Sequence, residues 1–127
     1  MHEKHLYEYA IIRVLPRVER EEFVNVGVIM FCKREKYIKM RYHINESRLL
    51  ALSDAIDLDQ MRENLQAFES ITNGDKNCGA IARLDVPERF RWLTAVRSTC
   101  LQTSRPHSGF SDNLDATLDK LFEEQVL

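Results

Sequence analysis

Two stretches of the chain combine charged and hydrogen-bonding side chains with apolar flanks, the mixture that recognition or catalysis draws on. The first is Glu19-Arg20-Glu21-Glu22 running into Phe23-Val24-Asn25-Val26-Gly27-Val28. An asparagine inside an otherwise apolar strand must have its amide satisfied, because an unpaired buried amide costs about 1–3 kcal/mol. Gly27 in the same strand either marks a bulge or lets another backbone or a ligand approach closely. The plainer reading is an asparagine that ties the preceding turn to a sheet and a glycine that accommodates a crossing helix. The second stretch gathers Arg91, Arg97, Ser98, Gln102, Ser104 and His107. If residues 97–104 form a strand, Ser98, Gln102 and Ser104 share one face with Cys100. Hydroxyls and amides beside arginine suit a phosphate or carboxylate, since the guanidinium donates in a planar fork and stays charged. A wet edge strand would carry the same residues.

Other chemistries find less support. Ser104, His107 and Asp112 lie close in sequence, but no strand-turn-helix GxSxG elbow surrounds the serine. Glu19, Glu21 and Glu22 sit on one turn and point apart, with no His or Asp at ligand spacing, so no metal is expected. No cofactor motif is present either. His2 and His5 read as frayed terminal residues and Trp92 as a core residue, not a base-stacking platform. Cys32, Cys78 and Cys100 are odd in number and far apart, which signals neither a disulfide framework nor a zinc site.

Composition bounds the answer further. The chain has 127 residues, 44% of them hydrophobic, with 18 Lys and Arg against 20 Asp and Glu, which describes one domain spanning 1–127 with a real hydrophobic core. Residues 1–45 carry 9 basic against 6 acidic side chains and the remainder 9 against 14. So mild a split makes nucleic acid an unexpected partner, because a dedicated binder neutralises several phosphates. No apolar run approaches the roughly 18–20 residues that span a bilayer, and the first residues lack a signal-peptide layout. Together with unpaired cysteines, this predicts a cytoplasmic protein without a membrane anchor.

The elements that must position these residues follow from periodicity. Residues 6–14 are aromatic and β-branched and predict a first strand ended by Pro16; the charged stretch 17–22 offers one helical turn. Residues 23–32 are apolar on both faces, with Val24, Val26, Val28 and Met30 alternating against Phe23, Ile29 and Phe31, which predicts a central strand. Residues 36–44 alternate as a half-exposed strand. Asn45 is placed to cap a helix over 46–53, and Asp57 with Gln60 resembles a capping box that opens a longer helix closed by Asn73-Gly74. After a polar loop over 75–79, residues 80–84 suggest a short strand, and Pro87 begins a helix through 96. The stretch 97–104 reads as a strand and 105–109 as a loop. A last helix, capped by Ser111 or Asp112, places Leu114, Leu118, Leu121, Phe122 and Val126 on one face. Strands first and helices mostly later predict an α+β fold: a single antiparallel or mixed sheet, built from an N-terminal meander plus a later strand, with packed helices.

Tyr9 to Pro16, Glu19 to Val28, Arg89-Phe90-Arg91-Trp92-Leu93, Arg97-Ser98-Thr99 and Gln102-Thr103-Ser104 with His107 and Gly109 together resemble the bacterial domain of unknown function 3037 family. The likeness spans nearly the whole chain, and E-R-x-E-F-x-N-V-G is its most specific motif. Arg105 before Pro106 and Cys100 depart from the residues usual there. The resemblance implies no established activity; it implies the genomic company of HipA-like kinase proteins. Two readings follow. One is a small accessory domain, not itself an enzyme, that binds a protein partner, with a HipA-like kinase as the candidate. The other is binding or hydrolysis of a nucleotide or other phosphorylated ligand at a pocket gathering Arg13, Arg20, Asn25, Arg91, Arg97 and His107, with Glu19, Glu22, Ser98 and Gln102 as neighbouring ligand or interface residues. Only the second requires the two stretches to meet.

Overall fold

A computed structural model describes residues 4–95 and 100–127. Five strands form one open antiparallel sheet: β1 (His5–Val14), β2 (Val24–Cys32), β3 (Tyr37–Tyr42), β4 (Leu101–Thr103) and β5 (His107–Ser111). The spatial order is β3-β2-β1, and β4 and β5 both pair with the remaining edge of β1. Helices α1 (Glu46–Leu52), α2 (Leu58–Thr72) and α3 (Val86–Leu93) pack on one side of the sheet, and α4 (Leu114–Gln125) packs on the other. The predicted α+β architecture is the one observed, with β2 internal to the sheet.

Each helix opens where a short polar side chain can satisfy its free amides. Asn45, Asp57, Asp85 and Asn113 accept from the backbone N–H of Arg48, Gln60, Glu88 and Ala116. The predicted cap of α1 is confirmed. For α2 only half of the capping box forms, because the Gln60 side chain donates to Asn64 instead of turning back to Asp57. The cap of α4 is Asn113, not Ser111 or Asp112; Ser111 Oγ accepts from the Asn113 N–H and bonds Thr117 Oγ1 at 2.5 Å, which braces the same turn. Pro87 is the second residue of α3, after Val86, and the helix ends at Leu93.

The apolar pattern of β2 is interrupted by a bulge. Ile12 pairs with Gly27 and Arg13 with Asn25, so Val26 is the extra residue. An inserted residue reverses which side chains face which way. Val24, Val26, Ile29 and Phe31 therefore face α1–α3, while Val28, Met30 and Cys32 face α4, and the simple alternation predicted for residues 23–32 does not hold. Gly27 is required there, since a Cβ would lie 2.7 Å from the Arg41 carbonyl oxygen. Both meanings of a strand glycine apply.

Three further expectations are corrected. Residues 81–83 form a 3-10 turn instead of a strand: the Arg83 and Leu84 amides bond back to Ala80 and Ile81, and Ala82 is buried. Of the strand predicted over 97–104, β4 covers 101–103; residues 96–99, including Arg97 and Ser98, lie outside the described residues. Residues 107–109 belong to β5, not to a loop. The ten-residue β1 offers a long edge, and Pro106, which has no N–H, breaks the ladder only locally. Ser104 spans that break: its N–H donates to the Ile11 carbonyl at 2.8 Å and its Oγ accepts from the Ile11 N–H at 2.8 Å.

Candidate sheet-face site

Because β1 alternates, its odd residues face α4 and its even residues face α1–α3. Ile11 packs in the α4 core with Tyr7 and Tyr9 beside it, whereas Ala10, Ile12 and Val14 lie in the other core. Cross-strand pairing then fixes the neighbours. Asn25, Arg13 and Gln102 stand directly opposite one another across β2, β1 and β4. Opposed residues share a face, with Cβ atoms about 4.5–5.5 Å apart. Farther along β1, His107 stands opposite Tyr9, their rings 5.4 Å apart, and Gly109 stands opposite Tyr7. The result is a mixed polar and aromatic face beside α4.

Arg13 is half-buried, and its guanidinium lies over the exposed Phe23 ring at 4.4 Å. No ion pair among the described residues involves it. Stacking on an aromatic ring orients the planar group without using its donors. The Asn25 amide is engaged: Nδ2 donates to the Gln125 carbonyl at 3.0 Å, at the C-terminal end of α4. Arg48 from α1 donates to the next carbonyl, Val126, at 2.8 Å. Asn25 thus ties the sheet to a helix end in a partly exposed setting, and its amide is not deeply buried as its apolar flanks suggested. Burial raises the Tyr7 phenol above its ordinary value, with Tyr9 adding to the shift. Ser104 is held by backbone partners, accepting from Ile11 and donating to the Arg105 carbonyl at 3.1 Å.

The acidic turn lies to one side. Arg20 pairs with Glu22, and both line a cleft of about 210 Å³ with Arg17, Leu52, Ser53 and Asp54, while Glu19 is exposed on the 3-10 turn. A second, open groove carries Phe23, Asn25, Arg48 and Gln125, and the two meet at Leu52. Arg20 and Glu22 are therefore neighbours of Asn25 along the surface.

Arg91 is elsewhere. It forms a bidentate pair with Glu8, both bonds at 3.0 Å, and lies near the rings of Phe31 and Phe90 on the α3 side. The sheet separates it from Arg13, Asn25, Gln102 and His107, and its carboxylate partner is Glu8, not a glutamate of the 19–22 turn. Of the residues singled out in the sequence, the structure sets Arg13, Asn25 and Gln102 side by side, places His107 farther along the same face beyond the buried Ile11, and leaves Arg91 on the opposite side. Sequence reasoning missed Tyr7 and Tyr9, although His5, Tyr7 and Tyr9 at two-residue spacing in β1, with Arg13 on the same face beyond Ile11, carry the signal of a mixed polar and aromatic face.

Among the described residues no helix is long and apolar enough to cross a membrane. No curated protein and no solved structure matches the chain. The profile of the family described as protein of unknown function DUF3037 does match, over residues 9–126, and it takes in both the bulged strand with Asn25 and Gly27 and the β4–β5 edge that completes the face. The chain belongs to the DUF3037 family.

Proposed function

We propose that the chain is an accessory domain that binds a protein partner on the α4-side face of β1, β4 and β5, with a HipA-like kinase as the candidate partner. The observation that carries this reading is the placement of Arg13, stacked on Phe23, with Tyr9, His107 and Gln102 on the α4 side of the sheet, His107 exposed and the other three half-buried. Tyrosine and arginine dominate interface hot spots because each combines a large flat contact area with directional donors. A stacked arginine also loses less side-chain freedom on binding than a free one. Titration calorimetry of the full chain with the HipA-like kinase protein of its own genome tests the proposal. Binding is expected, with Arg13→Ala and Tyr9→Ala each weakening it about tenfold or more, the effect of losing ~1.4 kcal/mol. No heat with the kinase, or unchanged affinity in both variants, overturns it.

The second reading, a nucleotide or other phosphorylated ligand, rests on the same Arg13, whose guanidinium has no carboxylate partner among the described residues. Its neighbours weaken that reading. Asn25 already donates Nδ2 to the Gln125 carbonyl at the C-terminal end of α4, so part of its donor capacity is committed to the fold and not to an anion. Millimolar phosphate and ATP at low salt should raise the melting temperature of the wild type, and not that of Arg13→Ala, if this reading is correct.

A further inference from the structure

We propose that the outer edge of β5 is occupied by β5 of a second copy of this chain, the two strands pairing antiparallel about a two-fold axis. This goes beyond the kinase reading and uses a different surface, the rim of the sheet instead of its face. Among the described residues β5 pairs with β1 alone, so its other edge presents unpaired backbone groups. Sheet edges are ordinarily protected by charge. The opposite rim follows that rule: β3 carries Lys39 and Arg41, held to Asp115 and Asp119 of α4. The residues of β5, His107-Ser108-Gly109-Phe110-Ser111, include no lysine, arginine or carboxylate.

Neutrality is what selects a second copy. A two-fold axis brings identical segments together, so a charged edge repels itself, whereas a neutral edge meets no such penalty. The apolar content agrees. Phe110 is 68% exposed and Leu6, its cross-strand partner, 56%. With Gly109 opposite its own counterpart, Ser108 of each copy stands across from Phe110 of the other, and both Leu6–Phe110 pairs fall on the same face of a continuous sheet. The small Ser108 leaves room for the ring. On the reverse face Tyr7 lies over Gly109, occupying the place a Cβ would take, so the glycine pair at the axis is roofed by aromatic rings.

Sedimentation equilibrium of the full chain from low micromolar to several hundred micromolar tests the proposal. A concentration-dependent shift from monomer to dimer is expected, and Phe110→Glu should remain monomeric throughout with an unchanged far-ultraviolet spectrum. Amide exchange gives a readout on the unmodified chain: exchange at 107–111 should slow as concentration rises. A wild type that is monomeric at every concentration, a dimer that survives Phe110→Glu, or exchange at 107–111 that ignores concentration overturns the proposal. The kinase titration is read separately. A monomer that binds kinase sinks only the dimer, and a dimer that gives no heat with kinase sinks only the partner reading.

Discussion

Asn25 and Arg48 donate to consecutive carbonyls, those of Gln125 and Val126, so a strand residue and a helix residue 23 positions apart in sequence jointly hold the last turn of α4. The end of a helix leaves its final carbonyls without intrahelical donors, and side chains that reach them replace water. This is the structural job of the asparagine in the E-R-x-E-F-x-N-V-G motif.

Asn25→Ala is expected to cost about 0.5–1.5 kcal/mol, the range for a hydrogen bond that solvent partly replaces. Arg48→Ala should cost a similar amount, and the double variant should fall short of additivity, because either loss alone lets the end of α4 fray. Urea denaturation of the four proteins measures this. Strict additivity would mean that the two donors do not hold a common element.

Gly27→Ala is expected to be the more damaging change, at about 1–3 kcal/mol. Its new methyl would lie 2.7 Å from the Arg41 carbonyl oxygen and 3.0 Å from the Tyr42 Cβ. The nearest obstacle is backbone, so relief requires β2 and β3 to part. Thermal melts should show a clear drop, and an unchanged midpoint would mean that the strands can separate there without loss.

Much of this fold was legible because local signals agreed with one another. The caps of α1 and α2, the internal β2 and the apolar face of α4 follow from spacing alone. The bulge was not legible in its consequence: Gly27 announced one, but which side of it each valine faced depends on pairing with β1. Residues 107–109 looked like a loop because Pro106 and Gly109 punctuate turns in isolation. What overrode them is the length of β1, a non-local fact. The same holds for the site. Arg13, Asn25 and Gln102 come together through strand register, which pairs residues distant in sequence, and Arg91 parts from them because Glu8 and Tyr9, adjacent in sequence, face opposite sides.

The Glu8–Arg91 pair makes a prediction about coupling. Both bonds are 3.0 Å and the geometry is bidentate, but the Arg91 side chain is 59% exposed, so solvent screening limits the energy. A double-mutant cycle with Glu8→Gln and Arg91→Gln should give about 0.5–1 kcal/mol of coupling. The cycle of Glu21→Gln with Arg91→Gln should be additive within about 0.5 kcal/mol. The reverse ranking would place Arg91 beside the acidic turn.

The clamp between β3 and α4 should impose a pH dependence at both ends of the scale. Tyr37 donates to Asp115 Oδ1 at 2.8 Å, and Lys39 donates to the same oxygen at 3.0 Å. Burial first, then the Asp115 bond, pushes the Tyr37 phenol far above its ordinary value. The bonds from Tyr37 and then Lys39 hold the Asp115 carboxyl below the usual carboxylate range. For Tyr37 the folded state keeps a proton that the unfolded chain gives up near pH 10, so its contribution is complete below about pH 10 and is lost as pH rises beyond it. For Asp115 the unfolded chain takes up a proton near pH 4 while the folded state resists, so stability is present above about pH 4 and falls as pH drops through the lowered value. Urea midpoints across pH should therefore fall less steeply on the alkaline side for Tyr37→Phe than for the wild type, and less steeply on the acid side for Asp115→Asn. Both variants should start lower near neutrality, since each removes a bond. Alkaline and acid slopes identical to the wild type in both variants would mean that the clamp is open in solution and that α4 is held to the sheet by its apolar face alone.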